Sequence, residues 1–179
     1  KKTWNFFEQY LRKEDNYLIP DNYQEDRKNK IVRRTSSTNI GLSMMAVISA
    51  NDLGFINYEK TIELLQNILT TVDELQKWNG HLYNWYNTET KEPLYPRYVS
   101  TVDSGNFIGY MYVIKNWLES QNKKEQVPEI KENEINQLLE IVDRTIKNTD
   151  FSHLYKKEQR IFSIGFNIEE NKLTNSYYD

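Results

Sequence analysis

The sequence contains no cysteine, and its 179 residues include only two histidines, six glycines and four prolines. A chain without cysteine has neither disulfides nor thiolate chemistry, which is typical of proteins from a reducing compartment. The two histidines, His81 and His153, lie far apart in the sequence without the spacing of zinc ligands, so we expect no metal site. No phosphate-loop pattern surrounds Gly105 and Gly109, and we expect no cofactor.

Long apolar runs are also absent. None approaches the roughly 20 residues that a helix needs to cross a bilayer, and no signal peptide is visible. The chain begins with Lys1-Lys2-Thr3-Trp4 rather than with methionine. We therefore interpret it as an excised, soluble piece of a longer protein.

Neither sign of charge predominates. The chain has 23 basic and 26 acidic residues and a net charge of −3, with an isoelectric point of about 5.6. Domains that bind nucleic acid need a basic excess, so this balance argues against that class. The one basic cluster, residues 27–34, is predicted to be a solvated connector.

Aromatic residues, by contrast, are frequent at 13% of the chain, and several segments have helical periodicity. The first helix is predicted over residues 3–14, and a turn-rich connector follows it. Apolar spacing and capping residues predict four longer helices, approximately over residues 39–52, 57–78, 103–120 and 131–147.

The four longer helices alternate in character. Those that end near Asp52 and Ser120 are weakly charged, and we predict that both are buried nearly all round, with Gly105 and Gly109 serving close helix packing. The other two helices have one apolar stripe and one charged face. A connector rich in polar and aromatic residues precedes each weakly charged helix, and similar segments recur over residues 160–167 and 174–179.

This alternation predicts an all-α protein of the α/α toroid type, in which inner helices are ringed by outer helices. The inner N-termini would gather at one end, where their free N–H groups and partial positive charge are presented. A ring of six hairpins at this spacing needs on the order of 400 residues, so the chain supplies about two and a half hairpins. We treat residues 1–179 as the N-terminal part of one domain, with residues 1–34 as leading helix and connector and residues 35–179 as helical hairpins.

The stretch from Gly80 to Asn106 is the main functional candidate. It combines aromatic rings, amides, hydroxyls, Arg97 and Asp103 with little apolar periodicity. Rings can cover the C–H faces of a sugar, while polar groups satisfy its hydroxyls. The alternative is a long ordered loop whose aromatic residues fill the gap between two helices, since not every such loop is functional.

Five segments, in the same order, resemble the central glucoamylase-like domain of cyclic β-1,2-glucan synthases. These are large membrane-associated proteins, often labelled with glycosyltransferase family 36. The segments include Gly-His-Leu-Tyr-Asn-Trp-Tyr and Tyr-Val-Ser-Thr-Val-Asp-Ser-Gly-Asn, and together they span residues 14–25, 34–41, 80–86, 98–106 and 162–167. The resemblance covers nearly the whole chain, with one departure: Ser37 stands where the resemblance leads us to expect a proline.

The resemblance implies an (α/α)6 barrel that acts on β-1,2-linked glucose chains by retaining transglycosylation, inside a larger protein that also elongates and trims the glucan. The catalytic glutamates are expected beyond Asp179, so the chain alone is expected to be inactive. The larger protein is expected to be membrane-associated, with this domain on the cytoplasmic side. The residues implied to line the sugar groove are Asn39, Asn84, Trp85, Tyr86, Arg97, Tyr98, Asp103 and Asn106.

Several of these residues also have simpler interpretations. Asp103 could be a helix N-cap, an acceptor for sugar hydroxyls or, as a weaker candidate, a catalytic carboxylate. Trp85 and Tyr86 could be stacking platforms or loop anchors. Arg97 could contact the sugar or form a local ion pair with Asp103.

Two functions from different classes remain. The first is part of a carbohydrate-active barrel that transfers or cleaves β-1,2-glucan, and the second is a non-catalytic helical carbohydrate-binding or scaffold module. The expected partners are a β-glucan oligosaccharide or polysaccharide and the remaining domains of the larger protein, with no nucleic acid. A partial ring leaves an apolar inner face uncovered, which predicts self-association or weak solubility. Glu169 and Glu170 are predicted to form a solvated turn.

Overall fold

Five α-helices lie within residues 1–122 and 129–177, which are the residues that this computed structural model describes. Short 3-10 turns at Lys13–Asp15 and Phe151–Leu154 follow the first and last of them. Pro128, predicted to precede the fourth long helix, lies outside the described residues, as do the last two residues of the chain. The helices are α1 (Lys2–Tyr10), α2 (Ser37–Asp52), α3 (Tyr58–Glu74), α4 (Thr101–Asn122) and α5 (Glu129–Asn148).

Eleven strands of two or three residues accompany the helices in the described part of the chain. The sequence did not predict them, because two residues are too few to show an alternating pattern. They are β1 (Asn22–Tyr23), β2 (Ile31–Val32), β3 (Arg34–Thr35), β4 (Lys77–Trp78), β5 (His81–Leu82), β6 (Tyr86–Asn87), β7 (Tyr98–Ser100), β8 (Tyr155–Lys156), β9 (Ile161–Phe162), β10 (Gly165–Asn167) and β11 (Lys172–Leu173).

Helices α2 and α3 begin at capping side chains, as predicted. The Ser36 side chain accepts a hydrogen bond from the backbone N–H of Asn39, and the Asn57 side chain accepts one from that of Lys60. Such caps satisfy donors that have no partner inside the helix. The predicted apolar faces are buried in the core; they consist of Ile40, Met44, Val47 and Ile48 on α2 and of Ile62, Leu65, Ile68, Leu69 and Val72 on α3.

Helix α4 differs from its prediction in two respects. It begins at Thr101, and the side chain of Ser100, not Asp103 or Ser104, accepts from the N–H of Asp103. The helix also has one open face, on which Tyr112 is 53% exposed and Val113 is 43% exposed. The prediction that α4 is buried all round is therefore wrong, because low charge does not by itself measure burial.

Close helix packing depends on a different glycine from those predicted. An added Cβ on Gly105 or Gly109 would meet nothing within 4 Å, so neither glycine serves close packing among the described residues. A Cβ on Gly41 would instead lie 2.2 Å from the ring of Tyr110. Helices α2 and α4 thus approach each other where Gly41 leaves room for that ring.

The packing of the helices confirms the predicted alternation. Helix α2 packs against α4, while α3 packs against α2 and α5, and α5 packs against α4. Helices α2 and α4 form an inner layer, and helices α3 and α5 form an outer layer. The core also includes Trp4 and Phe7 of α1. This is the fold class expected from the sequence, an α/α toroid seen over about two hairpins.

Short β ladders hold the connectors that lead into the inner helices. Strand β3, immediately before α2, pairs antiparallel with β6, so that Thr35 lies opposite Tyr86. Strand β7, immediately before α4, pairs with β10, so that Ser100 lies opposite Gly165. Each inner helix therefore starts from a connector that is anchored to a segment distant in sequence.

Candidate functional site

The N-terminal ends of α2 and α4 meet at a direct side-chain contact. The Thr38 hydroxyl donates a 2.6 Å hydrogen bond to Oδ1 of Asp103, and Nδ2 of Asn106 donates to the Thr38 hydroxyl at 3.3 Å. Because Thr38 is in the first turn of α2 and Asp103 in the first turn of α4, both helices begin at the same end of the bundle. We call this end the rim.

Asn84 connects the aromatic loop to Asp103. In the amide orientation that satisfies both neighbours, its nitrogen donates to Oδ2 of Asp103 at 3.1 Å and its oxygen accepts from Nε1 of Trp85 at 3.2 Å. The backbone N–H of Asn84 also donates to the carbonyl of Tyr98 at 2.7 Å. The loop is thus fixed to the rim through both its backbone and its side chain.

Arg34 covers one face of Trp85. The guanidinium carbon lies 4.0 Å from the centroid of the indole ring, a distance at which a cation attracts the ring face. Asp21 pairs with the guanidinium at 3.2 Å and accepts from Nδ2 of Asn39 at 3.1 Å. Asn22 donates to the same carboxylate at 2.9 Å. The prediction that the basic cluster is a solvated connector is therefore wrong for Arg34.

These contacts, closed by the peptide link between Thr38 and Asn39, form a ring of residues that includes Trp85. The ring runs from Trp85 through Asn84 to Asp103, then through Thr38 to its neighbour Asn39, and returns through Asp21 and Arg34. Most of its members are half-buried, so their polar atoms are ordered by one another and still reach the surface. Five of the eight predicted groove residues are brought together here: Asn39, Asn84, Trp85, Asp103 and Asn106.

Asp103 is the carboxylate in this ring with the most remaining acceptor capacity. Its oxygens accept from Thr38 and Asn84, whereas a carboxylate has about four acceptor positions. It is the third residue of α4, so the partial positive charge of the helix N-terminus favours its negative charge. The N-cap interpretation is wrong, because Ser100 takes that role.

Tyr86 lies in the core. Its side chain is fully buried, and its hydroxyl donates to the carbonyl of Gln76 at 2.6 Å and accepts from the N–H of Tyr83 at 2.8 Å. Burial raises the pKa of the Tyr86 hydroxyl. The expectation that Tyr86 lines a groove is wrong, and the alternative interpretation as a loop anchor is confirmed.

Arg97 pairs with Glu169 rather than with Asp103. Its Nε lies 2.8 Å from Oε1 of Glu169, and its backbone N–H donates to Oε2 at 2.8 Å. The hydrogen bond from Arg97 lowers the pKa of the Glu169 carboxyl. Glu169 and Glu170 lie in an exposed turn, as predicted, and Glu169 forms this ion pair from it. Tyr98 contacts Thr174, with 2.9 Å between the two side-chain oxygens.

The two histidines, distant in sequence, both contact Trp78. The ring centroids of His81 and His153 lie 6.2 and 5.6 Å from that of Trp78. His81 is buried, which lowers its pKa, and its Nε2 lies 3.0 Å from the carbonyl oxygen of Asp150. Within residues 1–122 and 129–177, no three His, Asp or Glu side chains are grouped so as to hold a metal ion.

Sequence reasoning did not select Asp21, Arg34 or Thr38 as site residues. All three residues lie within segments that carry the family resemblance, so the sequence contained a signal for their role. What the sequence did not show is the pairing of β3 with β6, which places Arg34 opposite Asn87 and beside the loop of Trp85.

The fold is that of the glucoamylase-like α/α toroids. The structure superposes with a TM-score of 0.79 on an endo-β-1,2-glucanase from Chitinophaga pinensis, solved with sophorotriose and glucose, at 15% identity over 98% of this chain and 41% of that one. It superposes with a TM-score of 0.77 on a candidate glucoamylase from Bacteroides fragilis, at 16% identity over 95% of this chain and 39% of that one.

In sequence, the chain is 43% identical over 124 residues to the cyclic β-(1,2)-glucan synthase NdvB of Rhizobium meliloti. This confirms the resemblance to cyclic β-1,2-glucan synthases. The matched region is 67% of this chain and 4% of the synthase. No protein-family model matches the chain. Among the helices that the structure describes, none has the length and apolar character required to span a membrane.

Proposed function

We propose that the rim binds β-1,2-linked glucan, as part of a carbohydrate-active domain that transfers or cleaves such chains. The observation that carries this proposal is the closed ring of contacts that includes Trp85. It orders one aromatic platform beside a carboxylate, two amides and a hydroxyl, which together suit an uncharged ligand with many hydroxyls. The identity to a cyclic β-1,2-glucan synthase supports this choice of linkage.

In this proposal, Asp103 holds and orients a sugar hydroxyl rather than reacting with the glycosidic bond. Retaining sugar transfer needs two carboxyl groups about 5 to 5.5 Å apart. Asp21, the second carboxylate of the ring, is already paired with Arg34 and accepts hydrogen bonds from Asn22 and Asn39. We therefore propose that the reacting carboxylates come from outside residues 1–179 and that this chain alone is inactive.

The open face of the inner helices supports the proposed domain organisation. Leu42 of α2 is 45% exposed, and Val102, Tyr112 and Val113 of α4 are exposed to a similar degree. We propose that residues 1–179 are the N-terminal part of one larger barrel, whose further inner helices cover this face.

The larger protein would be membrane-associated with this domain on the cytoplasmic side. Self-association of the isolated chain through the same face stays a prediction.

A non-catalytic binding module is the second candidate function. One specific observation favours it: both rim carboxylates already have partners in the chain, since Asp103 accepts a hydrogen bond from Thr38 and Asp21 pairs with Arg34. The two candidates share the sugar-binding rim and differ only in whether a reaction takes place there.

Tryptophan fluorescence tests the shared part of both candidates. Adding a β-1,2-linked gluco-oligosaccharide to the full chain should change the emission of Trp85, because the sugar would alter the surroundings of the indole ring. A Trp85→Phe variant should lose the response, although Trp4, Trp78 and Trp117 remain. A folded wild-type sample that gives no saturable response to millimolar sugar would refute the binding rim.

A further inference from the structure

Tyr95 is the most exposed large apolar side chain identified in the described part of the chain, at 74%. It lies in the same loop as Trp85, and the backbone of its neighbour Leu94 donates a 2.9 Å hydrogen bond to the carbonyl of Trp85. An aromatic ring so open to water is not needed for packing. Single exposed apolar residues are common, however, so exposure alone does not make a site.

The Tyr95 ring is supported on one side. The guanidinium carbon of Arg97 lies 5.3 Å from its centroid, and Arg97 is in turn held by Glu169. The nearby Lys91 pairs with Glu74 of α3 at 2.6 Å. The two cations near Tyr95 are thus neutralised by carboxylates of the chain itself.

A cavity of about 440 Å³ adjoins the ring. The cavity lies on the side of the loop that faces the C-terminal end of α3. Gln76, two residues after that end, lines the cavity, and Lys91 of the loop pairs with Glu74, the last residue of α3. Its wall combines apolar surface from Pro93 and Leu94 with amide, hydroxyl and carboxylate groups. The residues that line it are Gln76, Asn87, Thr90, Glu92, Pro93, Leu94 and Tyr95.

We propose that Tyr95 and this cavity form a second binding position for a β-linked glucan chain, separate from the ring of contacts that includes Trp85. The inference rests on the proposed function, because it assumes the same ligand class. A flat, exposed ring beside amide, hydroxyl and carboxylate groups matches a sugar residue, whose C–H faces are apolar and whose edge carries hydroxyls. A chain long enough to occupy both positions would bind more tightly than a short one, because the second contact becomes intramolecular.

The test compares a long β-1,2-glucan with a β-1,2-linked trisaccharide, using affinity electrophoresis and calorimetry on the full chain. Tyr95→Ala should weaken binding of the long glucan about tenfold and leave binding of the trisaccharide unchanged, whereas Tyr95→Phe should retain it. Tyr23→Ala is the matched control, since Tyr23 is also exposed and has Lys30 5.8 Å from its ring centroid.

The possible results separate the two proposals. If Trp85→Ala weakens binding of both ligands while Tyr95→Ala weakens neither, the second position is overturned and the rim stands. If the wild-type chain binds neither ligand, both proposals fail. Equal losses in Tyr95→Ala and Tyr23→Ala would mean a nonspecific surface effect and would also overturn the second position.

Discussion

Replacing Asp103 with alanine should reduce the affinity for a β-1,2-linked oligosaccharide by at least about tenfold, and by about a hundredfold if the carboxylate bonds a sugar hydroxyl directly. Removing one partner of a hydrogen bond to a charged group costs about 1.5 to 3 kcal/mol. Asp103 has two such partners in the chain, Thr38 and Asn84, so its loss also frees the amide that holds Trp85. Calorimetric titration measures the change.

Two further variants separate the charge from the geometry. Asp103→Asn keeps the size of the side chain and removes its charge, and it should fall between the wild type and Asp103→Ala. Asp52→Ala is the matched control, because Asp52 is exposed at the opposite end of α2. The role of Asp103 would be refuted by a folded Asp103→Ala chain that binds as tightly as the control.

Gly80→Ala should destabilise the chain by about 3 kcal/mol or more. Asn79 and Gly80 connect β4 to β5 with positive φ angles of 48° and 82°, the geometry of a tight two-residue hairpin turn. A Cβ on Gly80 would lie 2.1 Å from the carbonyl oxygen of Asn148. That atom belongs to the backbone of α5 and cannot move aside cheaply, so steric conflict adds to a left-handed backbone cost of about 1 to 2 kcal/mol.

Gly54→Ala provides the comparison for that experiment. Gly54 also has a positive φ, of 71°, but an added Cβ would meet nothing within 4 Å. Only the backbone cost of about 1 to 2 kcal/mol should appear there. Urea denaturation of both variants measures the difference, and equal destabilisation would show that the turn does not contact α5 as described.

The helices and their layers could be predicted from sequence because their signals are local and repeated. The apolar stripe of α3 recurs through its whole length, and Ser36 and Asn57 mark the two helix starts. The open face of α4 could not be predicted, because its uncharged residues are compatible with either burial or exposure. Only the positions of the neighbouring helices decide between the two.

The candidate site was partly predictable for a related reason. Asn84, Trp85 and Asp103 lie close together in the sequence, and their residue types indicate their chemistry. The roles of Tyr86 and Arg97 depend on the carbonyl of Gln76 and the carboxylate of Glu169. No local pattern identifies partners of that kind. Arg34 reaches Trp85 only because β3 pairs with β6, a contact between segments about 50 residues apart.

The central claim is that the N-terminal ends of α2 and α4 form a single sugar-binding rim around Trp85. Nuclear magnetic resonance of the labelled chain, titrated with a β-1,2-linked gluco-oligosaccharide, tests it most directly. The account predicts that the largest shifts occur at the indole N–H of Trp85 and at the side-chain amides of Asn84 and Asn106. Shifts confined to the opposite end of α2, or no shifts in a folded sample at saturating sugar, would contradict it.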